Sequence, residues 1–134
     1  MIARVLLLAC AAALVAFGLQ RHAAHDACQS ARVDALSITL GRSPAAGAGA
    51  VAQRLQDNCR DAGDLANGAV AFTRVGALRP AEQLAGTAVR REPQRRNAWL
   101  ALSQVLEREG DASGAARALT RARTLDPVGL APGG

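Results

Sequence analysis

The chain has 134 residues, half of them hydrophobic, yet it carries only two phenylalanines, one tryptophan and no tyrosine. Its net charge of +5 comes from sixteen basic residues, every one an arginine, against eleven acidic ones. There is room for one domain, and the scarcity of aromatics excludes a nucleic-acid surface of interleaved basic and aromatic side chains.

A core without aromatics has to come from alanine, leucine and valine packed on helices. Alanine is the strongest helix former, because it loses no side-chain entropy on folding. The fold expected is therefore all-α.

In chain order, the first feature is an uncharged, mostly apolar run from Val5 to Leu19 (VLLLACAAALVAFGL), with Arg4 before it and Gln20, Arg21 and His22 after it. Counted from Met1 to Gln20, it just reaches the ~20 residues that a membrane-spanning helix needs. Three fates compete: a retained anchor, a signal peptide cleaved near Ala16-Phe17-Gly18, and a lipoprotein modified at Cys10 of Leu7-Leu8-Ala9-Cys10. The retained anchor is favoured, since few residues precede Cys10 and most of the apolar run follows it. Residues 1–22 are thus read as a membrane anchor or signal segment. The remainder is expected outside the cytoplasm, held at the cell membrane or exported to the periplasm. Arg4 and Arg21 nearly balance, so charge leaves the orientation open.

Next, residues 23–61 read as a divergent helical hairpin, with helices from about Ala27 to Leu40 and Pro44 to Cys59. Gly41 ends the first helix, Ser43 caps the second and Pro44 starts it. In such a pair Cys28 and Cys59 fall at neighbouring ends, which makes them a candidate disulfide. The alternative is two small buried thiols. His22, His25 and Cys28 share a helical face, but no second segment supplies ligands, so no metal and no other cofactor is expected.

The strongest pattern lies in residues 62–129. Laid over each other at a spacing of 34, residues 62–95 and 96–129 are identical at Arg74/Arg108, Gly76/Gly110, Ala81/Ala115, Ala88/Ala122 and Pro93/Pro127. Leu65 also falls opposite Trp99, and Phe72 opposite Leu106. A fixed period in this range marks a stacked repeat architecture. Trp99, Leu102 and Leu106 recur at helical steps on one face. Gly110 ends that helix, Ser113 is placed to cap the next, and Pro80 to start the corresponding helix of the first unit. From Ser113 to Leu125, apolar Ala115, Ala118, Leu119 and Ala122 oppose Arg117, Thr120, Arg121 and Thr124, the polar outer face that a terminal repeat requires. Residues 130–134 read as a flexible tail.

Trp99, Leu102, Leu106, Gly110, Ala115, Leu119, Ala122 and Pro127 fall at the spacings of the tetratricopeptide repeat, which the second unit resembles closely. Ser103 and Leu106 depart from it where glycine and tyrosine are usual. The first unit follows the frame more loosely through Gly68, Ala69, Phe72, Gly76, Ala81, Ala85, Ala88 and Pro93. The upstream pair departs from it, with Asp34 and Arg54 where apolar residues belong. The resemblance implies a short α-solenoid of antiparallel helix hairpins behind an N-terminal hydrophobic helix. It also implies a scaffold that binds a protein or peptide along the first helix of each unit. The lining would be Asn67, Val70, Arg74, Asn97, Leu100, Gln104 and Arg108. The carboxylate clamp of some family members is not implied, because Asn97 and Ala101 stand where a basic pair would be needed.

Arg90, Arg91, Arg95 and Arg96 form a second candidate, a basic patch at the join between units that can meet anionic lipid. Basic side chains also suit a helix C-terminus, where the macrodipole favours them. No nucleophile motif, phosphate loop or dinucleotide fingerprint occurs, so the chain is not expected to be an enzyme. The function expected is an anchored or exported scaffold for protein–protein interaction in the cell envelope. The alternatives are a permanent structural subunit of a larger membrane assembly and an arginine-rich binder of anionic lipid or cell-wall polymer. The disulfide has a direct check: in protein isolated from the envelope without reductant, peptide mass mapping should find Cys28 and Cys59 unavailable to alkylation. Two free thiols there would refute the pairing.

Overall fold

The computed structural model describes residues 2–125, and their side chains except at positions 2–9, 21 and 24. The described residues form six α-helices: α1 (Ile2–Thr39), α2 (Ala48–Asn58), α3 (Ala62–Arg74), α4 (Leu78–Arg91), α5 (Arg96–Glu109) and α6 (Ala112–Leu125). Among the described residues, no helix is long and apolar enough to cross a membrane. Part of the 1–22 segment and all of the 130–134 tail lie outside the described side chains.

The helix expected from about Ala27 is the last third of α1, which runs unbroken for 38 residues, about 57 Å at the α-helical rise. Nothing in the sequence between Leu19 and Ala27 breaks a helix, since it holds neither proline nor glycine.

The helices associate as three hairpins, α1 with α2, α3 with α4 and α5 with α6. Successive first helices also touch, α1 against α3 and α3 against α5, while α4 packs on α5 and α2 on both α3 and α4. The three hairpin turns are built alike. Gly41, Gly76 and Gly110 each take a left-handed φ, and their amides donate to Ile38, Thr73 and Glu107 carbonyls. The next amide reaches back to Ser37, Phe72 or Leu106. This double bond pattern is the Schellman motif, which glycine allows without a Cβ clash.

Two capping expectations are corrected. Ser43 and Pro44 do not open α2; a 3-10 turn at Ala45–Gly47 intervenes, and α2 begins at Ala48. The small Ala45-Ala46-Gly47 stretch has no side chain to cap an α-helix. At α6 the cap is Asp111, whose carboxylate accepts from the Gly114 amide at 2.9 Å, while the Ser113 hydroxyl donates to that carboxylate. An ionised carboxylate is the stronger acceptor, and it also answers the positive end of the helix dipole.

Alanine makes up most of the core, with Phe72, Leu55, Leu65, Leu84 and Val105 as its larger members. Asp34 and Arg54, anomalous as core positions, pair with each other at 2.8 Å across α1 and α2, with both side chains partly in solvent. Ser103, where the repeat pattern has glycine, donates its buried hydroxyl to the Ala115 carbonyl at 3.0 Å and ties α5 to α6. On α6, Ala115, Ala118 and Ala122 are buried, while Arg117, Thr120, Arg121 and Thr124 face solvent.

Gly68 sets the closest approach: a methyl group there would lie 2.9 Å from Leu55 Cδ1 and 3.0 Å from Leu84 Cδ1. Both leucines are almost fully buried, so neither can swing clear. Gly68→Ala should therefore destabilise by about 1–3 kcal/mol through overpacking, even though alanine is the better helix former by about 1 kcal/mol. Phe72→Ala should cost about 3–5 kcal/mol. Thermal melts followed by far-UV circular dichroism check both. A Gly68→Ala protein as stable as wild type would contradict the packing.

Candidate functional site

The residues expected to line a groove fall on the side of the molecule formed by α1, α3 and α5. A depression of about 540 Å³ between α1 and α3 includes Asn67, Val70 and Arg74. A smaller one of about 230 Å³ between α3 and α5 includes Val70, Arg74, Gln104 and Arg108. Val70 and Arg74 border both, so the two depressions adjoin. Asn97 and Leu100 lie on α5 but line neither.

Sequence reasoning missed the contribution of α1. Arg32, Val33, Leu36 and Thr39 form the other wall of the larger depression, and Val33, Leu36 and Leu40 are more than half exposed. Their i, i+3, i+7 spacing is the signal that identifies an apolar helical stripe. It was legible, but α1 stood outside the repeat frame. Arg32 pairs with Asp64 at 3.5 Å on this side. Arg74 and Arg108 project from the last turns of α3 and α5, so the groove combines apolar floor positions with guanidinium donors.

The four arginines at the join between units do not act alike. Arg91 reaches across to the carbonyls of Gln56 and Cys59 and closes the C-terminus of α2. Arg95 binds Glu92 through Nε and Asp61 at 3.3 Å. Glu92 also accepts from the Ala62 amide at 3.1 Å, and Asp61 caps α3 by accepting from the Gly63 amide. Arg90 is exposed, with its guanidinium on the Thr87 hydroxyl, and Arg96 is half-buried. Two of the four thus hold the fold together at this end of the bundle, hereafter the base.

The base also carries the cysteines. Cys28 and Cys59 are joined as a disulfide, with Cα atoms 4.9 Å apart. It closes a loop of 31 residues, a constraint of ~3–4 kcal/mol in the chain-entropy description. A carboxylate oxygen of Asp64 lies 3.7 Å from Cys28 Sγ, and the two sulfurs and this carboxylate fall within 4.8 Å of one another. With the sulfurs bonded to each other, neither offers the thiolate a metal would need. His25 lines an open cavity beside them.

Comparison with protein-family models, with curated proteins and with solved structures finds no match.

The Arg95 hydrogen bond, aided by the Ala62 amide, holds the Glu92 carboxyl below its ordinary value of 4.5, and Glu92 in turn raises Arg95. A depressed carboxyl stabilises the folded state above its unfolded pKa, and that contribution is lost as pH falls through the lower folded value. The Gly114 amide depresses Asp111 in the same sense. Burial, with Glu82 and Asp111 nearby, raises Glu109, which acts in the opposite direction. On acidification below 4.5, Glu92→Gln should therefore lose less melting temperature than wild type. Parallel acid limbs for the two proteins would show that Glu92 is not coupled to folding.

Proposed function

We propose that this chain is a membrane-anchored or exported scaffold of the cell envelope, whose hairpins stack in the manner of tetratricopeptide repeats and hold a protein partner along α1, α3 and α5. The order of packing supports the stacking. Each first helix meets its own second helix and the first helix of the next hairpin, and α4 also meets α5. The equivalent glycine turns at 41, 76 and 110 support counting the divergent first pair as a member of the array.

The observation that carries the binding role is the pair of adjoining depressions sharing Val70 and Arg74. A partner segment laid there meets apolar positions from α1 and α3. Arg74 and Arg108 then offer charge-assisted hydrogen bonds to carboxylates or backbone carbonyls. The role is one of holding a partner, not of catalysis.

A permanent structural subunit is the second reading, favoured by the exposure of Val33, Leu36 and Leu40. An exposed apolar strip along the end of α1 and the turn after it suits burial in an assembly.

Affinity capture of the tagged full chain from its own membranes, with mass spectrometry of what is retained, tests both. A specific protein should be recovered with wild type and reduced at least about tenfold by Asn67→Ala with Arg108→Glu, the loss expected from removing one or two polar contacts. Recovery unaffected by these changes would refute the groove. A partner that stays at fixed stoichiometry through gentle detergent purification would mark the subunit reading instead.

A further inference from the structure

We propose that the base of the bundle rests on the anionic phospholipid head groups of the membrane in which residues 1–22 are anchored. The proposal deepens the anchored reading above and rests on it, adding the orientation of the domain and the class of lipid it meets.

The first observation is the continuity of α1. The apolar run and the domain share one helix from Ile2 to Thr39, with no hinge between them. From Leu19 to Cys28 that helix rises only about 14 Å. An open cavity of about 450 Å³ has Phe17 and Gln20 of the apolar end among its lining residues, together with Asn58, Arg60 and Asp61 of the base. The end of the hydrophobic stretch and the base of the domain are therefore contiguous. A head-group layer is about 5–7 Å deep on each side of the hydrocarbon, and charges act over about 8 Å at physiological salt. An anchor ending near Leu19 leaves the base within reach of both.

The second observation is the charge collected there. The disulfide brings the end of α2 to α1, Arg91 brings the end of α4 to α2, and Arg95 with Asp61 brings the start of α5 to α3. Three acidic groups of the base are paired within the protein, whereas Asp26 and Asp57 are exposed and have no arginine partner among the described ion pairs. Asp61 and Glu92 share Arg95, Asp64 has Arg32, and Asp57 accepts from Gln53. Arg60 and Arg90 are exposed and have no acidic partner among the described ion pairs. Arg123 adds a basic group in the last turn of α6. Together with Arg91, these arginines outnumber the carboxylates left uncompensated, Asp26, Asp57 and one of the two that share Arg95, so the net charge of the base is positive, as an anionic surface requires.

Trp99, the chain's one tryptophan, reports on this end, since its indole N–H donates to the Pro93 carbonyl at 2.9 Å. The full chain is reconstituted in vesicles of phosphatidylcholine, alone or mixed with phosphatidylglycerol, containing a lipid with a nitroxide on its head group. Flotation shows anchoring, and quenching of Trp99 emission shows that the base is close to the head groups. Quenching should rise with phosphatidylglycerol and fall with added salt. Arg60→Gln with Arg90→Gln should abolish the rise, because each arginine at an anionic surface favours docking roughly fivefold. Both positions are exposed, so an unchanged helical spectrum will show that the variant folds. Vesicles that float with the protein but quench Trp99 equally with and without phosphatidylglycerol overturn the lipid contact and leave the anchor intact. Protein that fails to float overturns the anchored reading and the contact with it.

Discussion

At Gly68, α3 is pressed so tightly between Leu55 of α2 and Leu84 of α4 that even one methyl group would overlap them. The rest of the bundle depends on the same condition, because a core made mostly of alanine has little side-chain volume to fill a gap. Close approach of the backbones makes up that volume, and each hairpin has to be held in register to within a fraction of an ångström. Alanine buries little area per residue, at about 25 cal/mol for each Å². The core therefore supplies less hydrophobic stabilisation than one of similar length rich in leucine and phenylalanine. Phe72 and the three buried leucines are isolated large residues in that setting, which is why truncating any of them weighs heavily.

Polar and covalent ties at the ends of the helices complement this thin core. At one end are three near-identical glycine turns. At the other are the disulfide, the Arg91 cap on α2 and the cluster of Asp61, Glu92, Arg95 and the Ala62 amide. The cluster bridges successive units. Asp61 precedes the first repeat and Arg95 closes it, so the contact joins the start of α3 to the start of α5. Partly exposed ion pairs contribute little individually, but here the same groups also satisfy helix-terminal amides and carbonyls that would otherwise lack partners.

Much of this was legible in residue types that have a single mechanical use. Gly76 and Gly110, 34 residues apart, mark two turns that the structure builds identically. The helical periodicity marks the four helices α3 to α6, but on α5 the expected face of Trp99, Leu102 and Leu106 is only half-buried, and Ala98, Ala101 and Val105 enter the core instead. Features that depend on which helix comes to lie beside which were not legible. Asp34 and Arg54 looked like faults in a core face because their partnership spans two helices. Arg91 and Arg95 read as a patch because nothing local shows that α2's carbonyls and Asp61 lie within their reach. Gly41, read from the sequence as a helix end, makes the same left-handed turn as Gly76 and Gly110.

The two ends and one side of the bundle therefore carry different demands. The base is crowded with internal partners, and Gly63, Asp61 and Arg95 meet there so closely that any added side chain at Gly63 would strike the other two. Little variation is open to it, and its exposed charge is divided between arginines such as Arg60 and Arg90 and the aspartates Asp26 and Asp57. The side formed by α1, α3 and α5 bears no such constraint. Asn67, Arg74, Gln104 and Arg108 are exposed there and contribute nothing to the core. In the proposed scaffold, a partner's contacts fall on the outward face of helices whose inward face holds the fold, so they can change without disturbing the packing around Gly68. A helix that serves both needs must be fixed in rotation as well as position. The buried Ala62, Ala66, Ala69 and Phe72 hold α3 in that way, so that Asn67, Val70 and Arg74 share one outward side.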